Sequence, residues 1–222
     1  MADVVRLALV GCGGISRSHV KGYQELLARG CRDFVVTACC DVVRPNAEAA
    51  AARIAEIQGS EPRVFASVAD LLAAGVADAA DICVPHYAHH LVALPLLAAG
   101  LHILVEKPLG ITVRASRAIV AAGKRHRRIV ATAEQVRRGP NARACRWAIR
   151  ERRLIGDVRM AVVQAVDNHD FDYNAPAFKW RAIKLLVGGG MIMDSGAHFA
   201  DMVQHVFGEV EDVFCTMRTN RA

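Results

Sequence analysis

An apolar run that leads directly into a glycine-rich turn, near the start of the chain, constrains the fold more than any other feature. Residues 5–10 have the composition of a short buried strand, and Gly11-Cys12-Gly13-Gly14-Ile15-Ser16 follows them. Residues 15–29 then have helical character, so the segment predicts a strand, a tight turn and a helix. In such a turn the first glycine makes the bend, the second lets the backbone approach a pyrophosphate, and the helix N-terminus stabilises the anion. The third fingerprint position holds Ser16, which is small enough for close helix–strand packing.

A second strand, predicted over residues 34–40, ends at Asp41. A carboxylate at this point accepts hydrogen bonds from the adenosine ribose hydroxyls and repels a 2′-phosphate, which favours NAD over NADP as the cofactor. Arg44 follows closely, and the sequence leaves three roles open for it: stacking on adenine, pairing with a 2′-phosphate, or exposure to solvent. The alternative interpretation of Asp41 is a simple turn residue.

Strands and helices alternate through the rest of the first 133 residues. Helices are predicted over residues 47–58, 68–74, 89–99 and 113–126, the second of them capped by Ser67, and strands over residues 64–65, 80–84, 101–105 and 129–133. This alternation favours an α/β fold with a doubly wound parallel sheet and helices on both faces. Ligands of such sheets bind beyond the carboxyl ends of the strands, where four residues of interest fall: Gly11, Asp41, Pro85 and Lys107.

A second chemically informative segment covers residues 188–201, which begin with three glycines. Asp194 and His198 are four residues apart, and Asp201 lies three beyond His198, so the three side chains would share one face of a single helix. A histidine flanked by two carboxylates is suited to proton transfer. The alternative is a glycine turn, an aspartate in the first helical turn and a histidine that only packs.

These motifs together resemble the Gfo/Idh/MocA family of NAD(P)-dependent oxidoreductases, which includes glucose–fructose oxidoreductase and inositol dehydrogenase. Gly11 to Ile15 opens the cofactor domain as in that family, and residues 84–89 place His89 at the family's usual histidine position. Glu106-Lys107-Pro108 is the family's signature tripeptide. Further matches follow in the family's order: Arg137 in an Arg-x-x-Pro segment, Trp180-Arg181, and Gly188 through Asp201.

The resemblance implies roles for individual residues. Lys107 would stabilise the substrate oxygen, His198 would act as general base or acid, and Asp194 would bind substrate and tune the histidine. Glu106 and Trp180 would hold the backbone and pocket in shape, and the Lys107–Pro108 bond is expected to be cis. The cofactor-binding residues would be Gly11, Gly13, Gly14, Ile15, Asp41, Arg44, Pro85, His89, Glu106 and Lys107, and the substrate-binding residues Lys107, Arg137, Trp180, Asp194 and His198.

The resemblance also implies two domains: a dinucleotide-binding Rossmann domain over residues 1–133 and a substrate and oligomerisation domain of α+β type from residue 134 to 222. Family members have a large open antiparallel sheet in the second domain. Here only strands over residues 158–166 and 210–217 are predicted for it, so we expect a C-terminally incomplete domain, with homo-oligomers forming where the sheet is present.

Composition restricts the other classes of function. The net charge of +6 raises nucleic acid as a partner, and Arg143, Arg146, Arg150 and Arg153 would form a stripe on one helix. A solvated helix face is the preferred interpretation, since no nucleic-acid motif accompanies the stripe. His86, His89 and His90 lack a carboxylate or cysteine to complete a metal site, so no metal is expected. Scattered cysteines, and no segment with the character of a signal peptide or membrane span, predict a cytoplasmic protein without a membrane partner.

Taken together, the sequence favours an oxidoreductase that transfers a hydride between NAD(H) and a sugar, cyclitol or related polyol. A dinucleotide-binding sensor without turnover and a redox-neutral NAD-dependent glycosidase on the same fold are the alternatives. Four residues in a polar stretch before Trp180 are candidates for the substrate pocket: Asn168, His169, Asp172 and Tyr173.

Overall fold

The computed structural model describes residues 4–164, 172, 174–175 and 178–216, apart from the side chain of Met191. As far as they are described, the residues group into two compact units. The first comprises Met1–Ala133 and Asp170–Asp194, and the second comprises Glu134–His169 and Ser195–Ala222. The segment that ends at Asp194 therefore packs with the residues before 134.

Six strands form one parallel sheet in the described part of the first unit. They are β1 (Val5–Val10), β2 (Phe34–Cys40), β3 (Arg63–Phe65), β4 (Ala79–Ile82), β5 (His102–Glu106) and β6 (Val130–Ala133). Their order is β3-β2-β1-β4-β5-β6, so the chain crosses from β3 back to the other side of β1. The predicted doubly wound parallel sheet is confirmed, and its switch point lies between β1 and β4, the place where such sheets bind ligands.

The helices of the first unit are α1 (Ser16–Ala28), α2 (Arg44–Gln58), α3 (Val68–Ala74), α4 (His89–Ala98), α5 (Val113–His126), α7 (Lys184–Val187) and α8 (Met191–Asp194), and those of the second are α6 (Pro140–Arg146) and α9 (Gly196–Phe207). Side chains satisfy the free amides at two of their starts. Ser67 accepts a hydrogen bond from the Asp70 amide at 3.1 Å, as predicted, and Thr112 accepts one from the Ala115 amide at 3.1 Å.

The core has two layers because successive residues of a strand point to opposite faces of the sheet. On β1, Ala8 and Val10 pack into a cluster with buried residues of α3, α4 and α5. Leu9 packs into the other cluster, with buried residues of α1 and α2. Helices therefore cover both faces, which is why the central strands are apolar at consecutive positions.

The regular secondary structure described in the second unit is helical. A 3₁₀ turn over Val136–Arg138 leads into α6, and a π-helical turn over Trp147–Glu151 follows. α6 packs against α9, with Ala142 and Val206 buried, and the Arg146 guanidinium donates to the carbonyl oxygen of His205 at 3.2 Å.

Two predicted features of the second unit are wrong. Residues 158–164 and 210–216 are not strands, because a strand needs a paired neighbour and the described residues offer them none; residues 165–166 and 217 lie outside the described part. The arginine stripe is also broken. Arg143 and Arg146 lie on α6, but Arg150 lies in the π-helical turn, which changes the residue spacing, and Arg153 has a φ of 51° beyond it.

Among the described residues, no helix has both the length and the apolar character that crossing a bilayer requires.

Candidate functional site

The glycine turn is built around a close backbone approach at the sheet's switch point. Gly11 has a φ of +88°, and a Cβ there would lie 2.7 Å from the carbonyl carbon of Cys83 and from the amide nitrogen of Val84. Gly11 is therefore required by the chain leaving β4, as well as by the tight turn. By contrast, a Cβ on Gly13 or Gly14 would have no neighbour within 4 Å, so the backbone there borders open space.

The contacts of Ser16 explain why the glycine turn accommodates a serine at the third fingerprint position. The side chain is buried, and its hydroxyl donates to the Gly13 carbonyl oxygen at 2.7 Å. This bond holds the turn against the start of α1. Ile15, which precedes the helix, is 43% exposed.

Asp41 braces the same turn from the end of β2. Its carboxylate accepts a hydrogen bond from the Cys12 amide at 2.7 Å and another from the Val43 amide at 2.7 Å. Arg44 points to a different partner, because its Nε donates to Glu48 at 2.8 Å on the exposed side of α2. Of the three roles left open for Arg44, this pairing supports exposure to solvent, since Glu48 offsets the charge that a 2′-phosphate would need.

His89 connects the two turns that follow β4 and β5. It is fully buried, and its ring nitrogens lie 2.9 Å from the Val84 carbonyl oxygen and 2.8 Å from the Pro108 carbonyl oxygen. Burial lowers the pKa of His89. A neutral ring has one N–H, so it donates to one of these two carbonyl oxygens and packs against the other, between Pro85 and the Lys107–Pro108 turn. The Lys107–Pro108 peptide bond is cis, as predicted.

Lys107 lies just beyond the carboxyl end of β5, where its ammonium group meets Asp194. The Nζ atom donates to the Asp194 carboxylate at 2.7 Å and to the Asp194 backbone oxygen at 2.8 Å. Arg181 donates to the other carboxylate oxygen at 3.0 Å. Burial raises the pKa of Asp194, but Lys107 and Arg181 outweigh burial and lower this pKa to about 2. Two cations therefore share one carboxylate, which leaves one positive charge in excess among these three side chains.

His86 is a buried polar residue that packs beside this trio. Its ring packs edge-on against Trp180 with centroids 4.7 Å apart, and its Nδ1 lies 3.1 Å from the Val187 carbonyl oxygen. Burial lowers the pKa of His86 to about 4, so the ring is neutral at physiological pH and donates from Nδ1. Its Nε2 lies 3.8 Å from the Asp194 carboxylate.

The first of the three glycines before Asp194 serves a packing role in the first unit. Gly188 has a φ of +92°, and a Cβ there would lie 3.0 Å from the Ile111 side chain. The single helix predicted for Asp194 and His198 is wrong. Helix α8 ends at Asp194, α9 begins at Gly196, and Ser195 lies between them outside both helices.

In the second unit, two hydrogen-bonded side-chain pairs replace the predicted arrangement of a histidine between Asp194 and Asp201. The His198 Nδ1 lies 2.7 Å from a carboxylate oxygen of Glu134. Asp201 instead accepts both hydrogen bonds of the Arg137 guanidinium fork, the Nε donating at 2.7 Å. Asp201 is thus committed to Arg137, because a guanidinium matches both oxygens of a carboxylate.

Sequence reasoning passed over Glu134, Arg181 and His86 as functional residues. Glu134 directly follows β6, and residues at the carboxyl ends of parallel strands merit attention in any sheet of this type. Arg181 lies within the Trp180-Arg181 match but was given no role of its own, and His86 carries no local signal because its partner Val187 is 101 positions away. Asn168, His169 and Tyr173 lie outside the described residues, while Asp172 is exposed.

The first unit has the features that a dinucleotide requires. An open, glycine-lined turn precedes the thirteen-residue helix α1, and an acidic side chain stands at the end of β2. The fold and this turn define a dinucleotide-binding α/β protein.

Comparison with known proteins gives the family. Residues 5–134 match the model of the oxidoreductase family with an NAD-binding Rossmann fold, and residues 143–222 match the GFO/IDH/MocA C-terminal domain. The chain belongs to the GFO/IDH/MocA oxidoreductase family, and NAD is the cofactor of its Rossmann fold.

Individual relatives agree with this assignment. The chain is 31% identical over 144 residues to 1,5-anhydro-D-fructose reductase of Ensifer adhaerens, covering 64% of this chain and 41% of that protein. It is 34% identical over 130 residues to inositol 2-dehydrogenase of Cereibacter sphaeroides, covering 57% of this chain and 35% of that protein. The crystal structure of the WlbA dehydrogenase from Bordetella pertussis, in complex with NADH and UDP-GlcNAcA, superposes with a TM-score of 0.84 at 27% identity, covering 98% of this chain and 65% of that one. The chain thus spans less than two thirds of these relatives' lengths.

Proposed function

We propose that the protein transfers a hydride between NAD(H) and a carbon of a sugar, cyclitol or related polyol. One observation carries the proposal: Lys107, at the carboxyl end of β5, shares the carboxylate of Asp194 with Arg181, which leaves one positive charge in excess. An alcohol oxygen becomes more anionic as a hydride leaves its carbon, and a preorganised cation stabilises that charge. The names of the relatives, a sugar reductase and an inositol dehydrogenase, support this substrate class.

NAD, when bound, supplies the hydride acceptor or donor, and the protein supplies orientation and proton transfer. In this proposal Gly13, Gly14 and Ile15 border the pyrophosphate and Asp41 faces the ribose. Lys107 stabilises the substrate oxygen, while Asp194 and Arg181 hold the lysine in position. Trp180 and His86 form a rigid wall at that position.

His198 is proposed as the group that accepts the hydroxyl proton in oxidation and returns it in reduction. Its hydrogen bond to Glu134 supports this role. A neutral imidazole that donates from Nδ1 to a carboxylate keeps its Nε2 lone pair free, which is the protonation state of a general base.

The proposal extends to domain organisation and surroundings. Residues 1–133 are proposed as the dinucleotide-binding domain, and residues 134–222 as part of a substrate and oligomerisation domain, with Arg137 bordering the substrate and homo-oligomers as the working form. The two family matches support this division. A cytoplasmic location is proposed because all seven cysteines are free thiols, as in a reducing compartment.

A substrate screen tests the proposal. The protein is mixed with NAD and a panel of sugars, cyclitols and polyols, and formation of NADH is followed by its absorbance, with Lys107→Ala as the control. We expect turnover with at least one polyol and its loss in the variant. Tight NADH binding without turnover on any member of the panel would instead support a dinucleotide sensor.

A further inference from the structure

A buried polar group in the first unit joins α1 to the carboxyl ends of β4 and β5. We call it the His19 cluster; it consists of His19, Tyr23, Asp81, Cys83 and Glu106. The His19 Nδ1 lies 2.7 Å from Asp81 and its Nε2 lies 2.9 Å from Glu106. Tyr23, one turn along α1, donates its hydroxyl to the same Asp81 oxygen. The side chains are 13% exposed for His19, 1% for Asp81 and 10% for Glu106.

This geometry sets the protonation state of His19. A neutral imidazole has one N–H donor, so one of its two carboxylate contacts would bring two lone pairs together. Only the imidazolium donates to Asp81 and Glu106 at once. The charge also matters, because two carboxylates buried without a cation would each lose several kcal/mol of hydration. Asp81, which lies within the apolar strand β4, is therefore paired with the His19 imidazolium, because a buried charge requires a counter-charge.

The cluster reaches Lys107 through Glu106. One oxygen of the Glu106 carboxylate accepts from His19, and the other accepts from the Lys107 amide at 2.9 Å. The orientation of this carboxylate therefore depends on His19 on one side and fixes the Lys107 backbone on the other. His19 itself lies in the first turn of α1, directly after the glycine turn.

We propose that His19 is a positioning residue, which as a buried imidazolium links the dinucleotide-binding helix α1 to Lys107 through Glu106. The assigned role of Lys107 rests on the proposed function, whereas the link itself rests on the hydrogen bonds of the cluster. Movement of the glycine turn and α1 would be transmitted to Lys107 through two charge-assisted hydrogen bonds, which are stronger than neutral ones.

The titratable groups that face the His19 ring favour its positively charged form. They are Tyr23 on α1, Asp81 and Cys83 at the end of β4, and Glu106 at the end of β5. Burial lowers the pKa of His19, but the hydrogen bonds to Asp81, Cys83 and Glu106 raise it to about 12.

A metal ion is the competing interpretation of the same side chains. Ligand atoms of His19, Asp81 and Cys83 lie within 4.8 Å of one another, and their types suit zinc. A metal would have to displace the His19 hydrogen bond to Asp81, and burial keeps the Cys83 thiol protonated by raising its pKa to about 12. The imidazolium explains the contacts without an ion.

The first test is NMR of the wild-type protein with ¹⁵N-labelled histidine. Both ring nitrogens of His19, assigned by comparison with His19→Gln, are expected to remain protonated up to about pH 9, well above the ordinary histidine pKa. Titration near that ordinary value would overturn the proposal, and so would stoichiometric zinc in the protein with a metal-bound nitrogen signal. The titration itself is recorded on the wild-type protein, and the variant serves only to assign the His19 signals.

The second test measures the position of Lys107 directly. Reaction of each lysine with an amine-acylating reagent is followed by mass spectrometry in wild type, in His19→Gln, and in His102→Gln as a control at the other end of β5. Loss of a charge-assisted hydrogen bond predicts a rise of about tenfold in the acylation of Lys107 relative to Lys124 in His19→Gln only. A general rise at all lysines, or an equal rise in His102→Gln, would show a merely structural role. If wild type fails to bind NADH, the proposed function fails while both His19 tests still give an answer.

Discussion

The Lys107 ammonium donates two hydrogen bonds to one residue, Asp194, through its carboxylate at 2.7 Å and its backbone oxygen at 2.8 Å. A residue at the end of β5 is thereby fixed to the end of α8, 87 positions along the chain. The first prediction follows from the charge on this aspartate.

Replacement of Asp194 by asparagine is expected to lower stability by about 2 kcal/mol at neutral pH, since its pKa falls from 3.8 to about 2 on folding. A carboxylate with a depressed pKa stabilises the fold above its unfolded pKa and loses that contribution as the pH falls through the folded value. The difference from wild type should therefore shrink as the pH falls through about 3.8 and be lost once the pH is below the folded pKa of about 2. Urea unfolding across this range measures it. Asp78→Asn, in an exposed pair with Arg6, is the control and should cost less than about 1 kcal/mol. A constant difference at all pH values would contradict the assignment.

The glycine turn yields a matched pair of variants. Gly11→Ala should destabilise the protein by more than about 2 kcal/mol, because the residue has a positive φ and its Cβ would meet the backbone of Cys83. Gly13→Ala should leave stability within about 1 kcal/mol of wild type, since its Cβ has no neighbour, yet weaken NADH binding by filling the space that the pyrophosphate approaches. Thermal unfolding and NADH fluorescence titration separate the two effects. Equal stability losses would show that the close approach does not constrain Gly11.

Asp41 is expected to set the preference for NAD over NADP. Its charge opposes a 2′-phosphate, so Asp41→Asn should reduce the ratio of the two affinities by roughly tenfold, measured by calorimetric titration of both cofactors. Glu48→Gln is the informative comparison, because it releases Arg44 from its ion pair. If that variant alone made NADP the tighter ligand, Arg44 rather than Asp41 would determine the preference.

The proposed chemistry predicts a loss of turnover without a loss of cofactor. Lys107→Ala and His198→Ala should each lower turnover by about two powers of ten or more, the usual scale for electrostatic and acid–base groups. NADH affinity should change far less. Lys124→Ala on α5 and Gln204→Ala on α9, both exposed, serve as controls measured in the same assay. Near-normal turnover of His198→Ala would remove this histidine from the mechanism.

Local chemistry made much of the first unit predictable. The strand, glycine turn and helix at the start of the chain follow from residue patterns and backbone sterics that act within a few residues. The Ser67 cap is likewise local, because its hydrogen bond reaches an amide only three residues away. The alternation of strands and helices then predicted the parallel sheet, because a helix that connects two parallel strands crosses over in the right-handed sense and few topologies allow this. The positions of Gly11, Asp41, Pro85 and Lys107 at strand ends follow from that topology alone.

Tertiary structure decided which charged groups pair. Helical spacing assigned Asp194 and Asp201 to His198, but Asp194 is bound by Lys107 and Arg181, Asp201 by Arg137, and His198 by Glu134. Spacing along a chain reports neighbours only while one helix continues, and the helix breaks at Ser195. A charged side chain then takes the counter-charge that folding brings nearest in a site shielded from water. For the same reason the His19 cluster has no local signature, since its carboxylates lie 62 and 87 positions from the histidine.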